Sequence, residues 1–204
     1  MKKIFLAVLA VFMYSLSYGQ FFNIGPKVGI GQSTVRVNET VNNIRYETGD
    51  AVFSYHFGGF LRFHPNEFLF IQPEVLFTSA GGNIRATEGN IQRAVDLNYN
   101  RLDIPVLIGP QFGRDVKFRV FAGPMASFLL SANATTELGE GNVRDSYRDM
   151  NWGYQVGIGV DFWNLILDLK YEGHLHVFGD RLENADVRQT NSQFLLSAGF
   201  KIFK

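Results

Sequence analysis

Between Arg101 and Phe112 the chain reads RLDIPVLIGPQF, with Leu102, Ile104, Val106, Ile108 and Phe112 on one side of a period-2 pattern and Arg101, Asp103, Leu107, Gly109 and Gln111 on the other. Only Pro110 interrupts the apolar face. Alternation this long is what a β-strand needs when one side meets lipid and the other a crowded polar interior. The same pattern recurs at Val52–Phe63, where Phe53, Tyr55, Phe57, Leu61 and Phe63 oppose Ser54, His56, Gly58 and Arg62. At Asn151–Phe162, Trp152, Tyr154, Val156, Ile158, Val160 and Phe162 oppose Asn151, Gly153, Gln155, Gly157, Gly159 and Asp161. No 3.6-residue periodicity competes with it.

Eight such segments are predicted, at roughly 23–37, 52–63, 68–79, 95–112, 117–132, 151–162, 165–175 and 193–203. Their connections alternate between long (38–51, 80–94, 133–150, 176–192) and tight (64–67, 113–116, 163–164). In an even-stranded membrane barrel all long connections lie on one side, and all tight turns lie on the other with both termini. The expected topology therefore has long loops outside and termini in the periplasm. Aromatics sort the same way: Phe63, Phe68, Phe112, Phe118, Phe162 and Trp163 lie beside tight turns, and Phe53, Tyr55, Phe77, Phe128, Trp152, Tyr154 and Tyr171 near long loops. Two interfacial girdles account for this. A soluble barrel would also alternate, but its small interior could not take the large apolar side chains of eight strands.

At the N-terminus, Lys2 and Lys3 precede an apolar run from Ile4 to Leu16, and Ser17-Tyr18-Gly19 offers small residues at a cleavage site. A signal peptide over 1–19 is expected, leaving a single barrel domain over 20–204. The alternative, an anchor helix, needs about 20 apolar residues, more than this run supplies. The formal charge of zero becomes about −2 once Lys2 and Lys3 leave, which gives no basis for nucleic-acid binding. With no cysteine, lipoprotein acylation, disulfides and thiolate metal sites are excluded.

If the apolar faces meet lipid, the interior receives Lys27, Arg62, Glu74, Arg101, Asp103, Arg119, Asp161, Asp168, Lys170, Glu172 and Lys201, six basic and five acidic groups. An eight-stranded interior is just wide enough to be filled by side chains, so these charges are expected to pair as a hydrogen-bonded plug. His174 and His176 share a strand face with Glu172, and His56 stands on another strand at a similar height. Metal binding would need three or four convergent ligands, and catalysis a positioned nucleophile or water; spacing specifies neither. No catalytic, cofactor-binding or metal residue is therefore expected. Inward-facing Gly29, Gly31, Gly157 and Gly159 are read as room for long Arg and Lys side chains, and Pro73, Pro105 and Pro124 as sites of β-bulges. The long loops carry Arg without Lys and are mildly acidic, so no lipopolysaccharide-binding crown is indicated.

Four stretches together, IQPEVLFTSAGG (71–82), RLDIPVLIGPQF (101–112), VFAGPMASFLL (120–130) and WGYQVGIGVDF with LILDLKYEG (152–173), resemble the small outer-membrane β-barrel family of Bacteroidetes-type bacteria that includes the porin-secretion protein T relatives. The chain departs from that pattern at Ile108-Gly109-Pro110, over His174–Gly179 and in ending on Phe203-Lys204. The resemblance implies an eight-stranded antiparallel up-and-down barrel in the outer membrane, monomeric, without cofactor, meeting lipid and envelope or secretion-system proteins. It carries no shared activity onto particular residues. The expected role is structural or partner-binding and not enzymatic. The alternative is a lipid-modifying or proteolytic barrel enzyme with a rim site near His56 and His174.

Overall fold

A computed structural model describes residues 22–36, 38–41, 44–88, 91–136, 139–142, 150–174 and 190–202. The expected signal segment and His176 lie outside them. The described elements are strands: β1 (Phe22–Arg36), β2 (Asn38–Val41), β3 (Ile44–Thr48), β4 (Val52–Phe63), β5 (Leu69–Glu88), β6 (Ile91–Phe112), β7 (Val116–Thr136), β8 (Gly139–Asn142), β9 (Met150–Phe162), β10 (Leu165–His174) and β11 (Thr190–Phe200).

Eight of these make a closed antiparallel ring, β1–β4–β5–β6–β7–β9–β10–β11, sealed by β11 returning to β1 from Lys27↔Gly199 to Arg36↔Thr190. Closure leaves no open edge where the wall meets lipid. Outward-facing side chains form an apolar belt, with Ile30, Phe53, Val120, Ile158, Leu169 and Phe194 each about half or more exposed. A belt of that kind on a closed sheet is what a bilayer covers. Facing inward are the polar alternates, together with an apolar minority that the simple alternation underplays: Phe70, Leu107 and Phe121 form a buried cluster inside the ring.

At the long-loop end the strands run further than the alternation predicts. β5 and β6 continue to Glu88 and from Ile91, β2 and β3 form a hairpin on the edge of β5, and β8 pairs with β7. Parts of the predicted loops 38–51, 80–94 and 133–150 are therefore strand. Beyond the lipid neither face must be apolar, so the ladder persists after its period-2 signature has faded. Tight turns close the opposite end. In one, Trp163 takes a left-handed conformation (φ 53°) and stacks on Phe162 at 5.3 Å. Another has Gly113 at φ 105°, where a side chain would be strained.

The prolines do not produce bulges. Pairing is interrupted beside Pro73, Pro105 and Pro124, but the register is the same on either side, from Phe60↔Glu74 to Phe63↔Ile71 and from Pro105↔Met125 to Ile108↔Ala122. Each proline removes a donor without adding a residue. The register shift falls elsewhere, where Asn100↔Ser131 gives way to Arg101↔Leu129. The glycine reading holds only in part. A Cβ on Gly159 would meet Asp168 and Arg119, but on Gly157 it would meet Phe121, on Gly29 the His56 ring, and on Gly31 the backbone oxygen of Phe194.

Candidate functional site

The eleven charged residues assigned to the interior are all buried there. Period-2 alternation places their Cβ atoms inside, and closure brings strands far apart in sequence within reach across the lumen. Toward the tight-turn end, Asp161 accepts from Arg62 Nη1 (2.5 Å), Arg119 Nε (2.7 Å) and Lys201 Nζ (3.0 Å). Arg119 Nη2 continues to Asp168 (2.6 Å), which also holds Lys27 (2.6 Å). Lys27 in turn reaches Glu74 (2.5 Å), and Lys170 joins the same carboxylate at 3.2 Å. Every carboxylate in this lattice thus serves at least two cations. Phe70 lies between the two guanidinium groups, 5.1 Å from Arg62 and 5.5 Å from Arg119, and offers its ring faces to them.

Lys170 links this lattice to the long-loop half through Gln155 (3.3 Å), whose amide donates to Glu172 at 2.8 Å. There Arg101 is the cation, its Nε bonded to Asp103 at 2.9 Å and its Nη2 to Glu172. Gln193 also donates to Glu172 (2.7 Å), and Ser127 donates to Asp103 (2.6 Å). Taking ions out of water costs several kcal/mol each, on the order expected for buried groups, and shared carboxylates with neutral donors are what offset it here.

The histidines do not gather into one cluster. His56 is bonded to Ser197 (3.1 Å), whereas the His174 ring lies 3.3 Å from Ser127 and 3.4 Å from the Asn191 carbonyl, with Glu172 at 3.9 Å. Among the described residues no three His, Asp or Glu side chains are arranged to hold a metal. Sequence reasoning missed Ser127, Gln155, Asn191 and Gln193. Alternation could assign each to the inner face, but nothing in one dimension names the partner across the barrel. At the tight-turn mouth an open vestibule of about 1020 Å³, lined by His64, Lys117, Trp163 and Lys201 among others, lets water approach as far as Asp161. His64 stands in the turn after β4, and burial, with Arg62 and Lys117 adding repulsion, pushes its pKa down to about 4.

A closed eight-stranded wall with an apolar exterior and a charged, hydrogen-bonded interior agrees with what related sequences show: the outer membrane protein beta-barrel domain matches residues 15–176. The chain belongs to that family. As a member, it is an outer-membrane β-barrel protein. Solved barrels of similar fold include OprG from Pseudomonas aeruginosa (8% identity, TM-score 0.51, covering 90% of this chain and 96% of that one). Neisserial surface protein A is another (13%, 0.50, 88% and 97%). A third is Ail, the attachment invasion locus protein of Yersinia pestis, in complex with the heparin analogue sucrose octasulfate (13%, 0.50, 90% and 100%). At such identities the likeness is one of fold. No curated protein matches the sequence.

Proposed function

We propose that this protein is a plugged outer-membrane barrel with a structural or partner-binding role in the envelope, its long-loop end outside and its termini in the periplasm. The observation that carries the reading is the ion lattice across the lumen, in which Asp161, Asp168 and Glu74 tie together β1, β4, β5, β7, β9 and β10. Opening a conducting path would part these buried ion pairs, so the closed state is favoured by several kcal/mol, an order-of-magnitude expectation for buried pairs. Purified protein in planar bilayers is expected to show no stable conductance. Large steady currents at neutral pH would overturn the plug.

The orientation rests on the asymmetry of the two ends, where β2, β3, β8 and the extended β5–β6 pair enlarge one mouth and tight turns close the other. Cysteine introduced at Asn142 or Ala185 (the latter outside the described residues) should react with an impermeant thiol reagent on whole cells. Cysteine at Asn164 or Arg114 should react only after permeabilisation. The native chain has no cysteine to interfere. Reversed labelling would invert the assignment. The resemblance to porin-secretion relatives supports envelope or secretion-system proteins as partners, and cross-linking from a cysteine at Asn142 to a component of that system, absent when it is placed at Asn164, is the outcome this reading expects.

A further inference from the structure

We propose that Ser127 and His174 form a nucleophile–base dyad in the long-loop half of the lumen, competent to cleave short-chain, polar carboxylic esters. The two residues lie on either side of β9, since Ser127 pairs with β9 at Asn151 and His174 at Gly153. Gly153 carries no side chain there; a Cβ would stand 3.4 Å from the His174 ring and 2.9 Å from Met125 Cε. The bare backbone lets the imidazole cross β9 and bring Nε2 to 3.3 Å from Ser127 Oγ.

The second nitrogen decides the tautomer. His174 Nδ1 lies 3.4 Å from the Asn191 backbone oxygen, which only accepts; in the tautomer with the hydrogen on Nδ1, Nε2 can take the serine proton once that hydroxyl turns from Asp103. Glu172, 3.9 Å from Nε2, is placed to stabilise the imidazolium formed when the serine proton arrives. Arg101 is fixed through two of its nitrogens on Asp103 and Glu172, yet its buried Nη1 has no hydrogen-bond partner. Arg101 and Ser127 share Asp103, so the unspent cationic N–H belongs to the side chain next to the nucleophile's own partner and is suited to receive a developing oxyanion. The second Ser–His pair lacks these features. Ser197 and His56 are closer, at 3.1 Å, but that serine is the ring's one hydrogen-bond partner among the described residues, so nothing orients the base.

At rest the Ser127 hydroxyl points to Asp103 and must rotate to Nε2 to react. Oγ then bonds to the ester carbonyl carbon, its proton passes to Nε2, and the carbonyl oxygen becomes the anion held by Arg101. Collapse breaks the bond to the alcohol oxygen, which leaves with the proton from Nε2. Water, activated by the same base, hydrolyses the acyl-serine. Ser127, His174 and the neighbouring Asn151, Gln155 and Gln193 are all buried, and the ion lattice fills the turn-side half, so substrate would arrive from the long-loop mouth by parting these polar side chains. Polar walls select a short, polar ester over a long acyl chain.

Folded protein in detergent micelles should be labelled by a biotinylated fluorophosphonate at pH 8, with mass spectrometry placing the adduct on Ser127. It should also hydrolyse p-nitrophenyl acetate. Ser127→Ala and His174→Ala should abolish labelling and lower hydrolysis about 100-fold or more, whereas Ser197→Ala should retain both. Heat-modifiable migration on gels checks that each variant is folded. If wild-type protein is not labelled, or the adduct lies on another residue, the dyad is wrong. Retained labelling in folded His174→Ala would remove the base from the proposal. Should that variant not fold, the adduct site in wild-type protein still decides.

Discussion

The two halves of the lumen use the same residue types to different ends. On the turn side three carboxylates are shared among Lys27, Arg62, Arg119, Lys170 and Lys201, and charge meets charge almost throughout. In the long-loop half one guanidinium faces two carboxylates, and neutral donors, Ser127, Gln155 and Gln193, complete the shell. There Ser54 Oγ, Arg101 Nη1, Asn191 Oδ1 and Gln193 Oε1 are buried with hydrogen-bonding capacity to spare, as are Arg62 Nη2, Gln111 Oε1 and Arg119 Nη1 on the turn side. A lattice of shared ion pairs resists change because removing one carboxylate strands several cations at once; a shell completed by neutral donors loses one hydrogen bond at a time. On the proposed reading the turn-side half holds the barrel shut, and the long-loop half carries the proposed dyad.

Substitution should separate the halves. Asp161→Ala strands Arg62 and Lys201 and leaves Arg119 with Asp168 alone, and it is expected to cost about 3–5 kcal/mol, the range for breaking a buried pair from one side. Urea unfolding in lipid vesicles measures this, and a cost near zero would mean that the lattice does not hold the wall. Ser127→Ala removes one hydrogen bond to a carboxylate that keeps Arg101, so its cost should be about 2 kcal/mol, within the range for a bond to a charged group. A cost as large as that of Asp161→Ala would erase the contrast between the halves.

The smallest effect concerns the turn-side mouth. The pKa of His64 is pushed from the ordinary 6.5 to about 4 in the folded protein, so between those values the unfolded chain binds a proton that the folded one refuses. Its contribution to stability is complete above pH 6.5 and is lost as pH falls toward 4. Solvent at the vestibule keeps this contribution small. An imidazole titration followed by NMR should place the His64 midpoint near 4, and a midpoint near 6.5 would show that Arg62 and Lys117 are screened from it.

What the sequence determined alone is the wall. Alternation in Val52–Phe63, Arg101–Phe112 and Asn151–Phe162 separated lipid-facing from inward-facing side chains, because a strand's two faces are a property of consecutive residues. The same rule assigned all eleven interior charges and required that they pair. Where the faces are no longer chemically distinct it lost its grip, as at β2, β3 and β8. Which interior groups meet was decided only by tertiary structure. Asp161 with Arg62, or Ser127 with His174, are separated by 99 and 47 residues and joined by strand register and closure of the ring. The shift at Arg101/Leu129 shows how little would alter those meetings. One extra residue in a strand turns each side chain beyond it to the opposite face, so partners across the lumen depend on the registers of all eight strands at once.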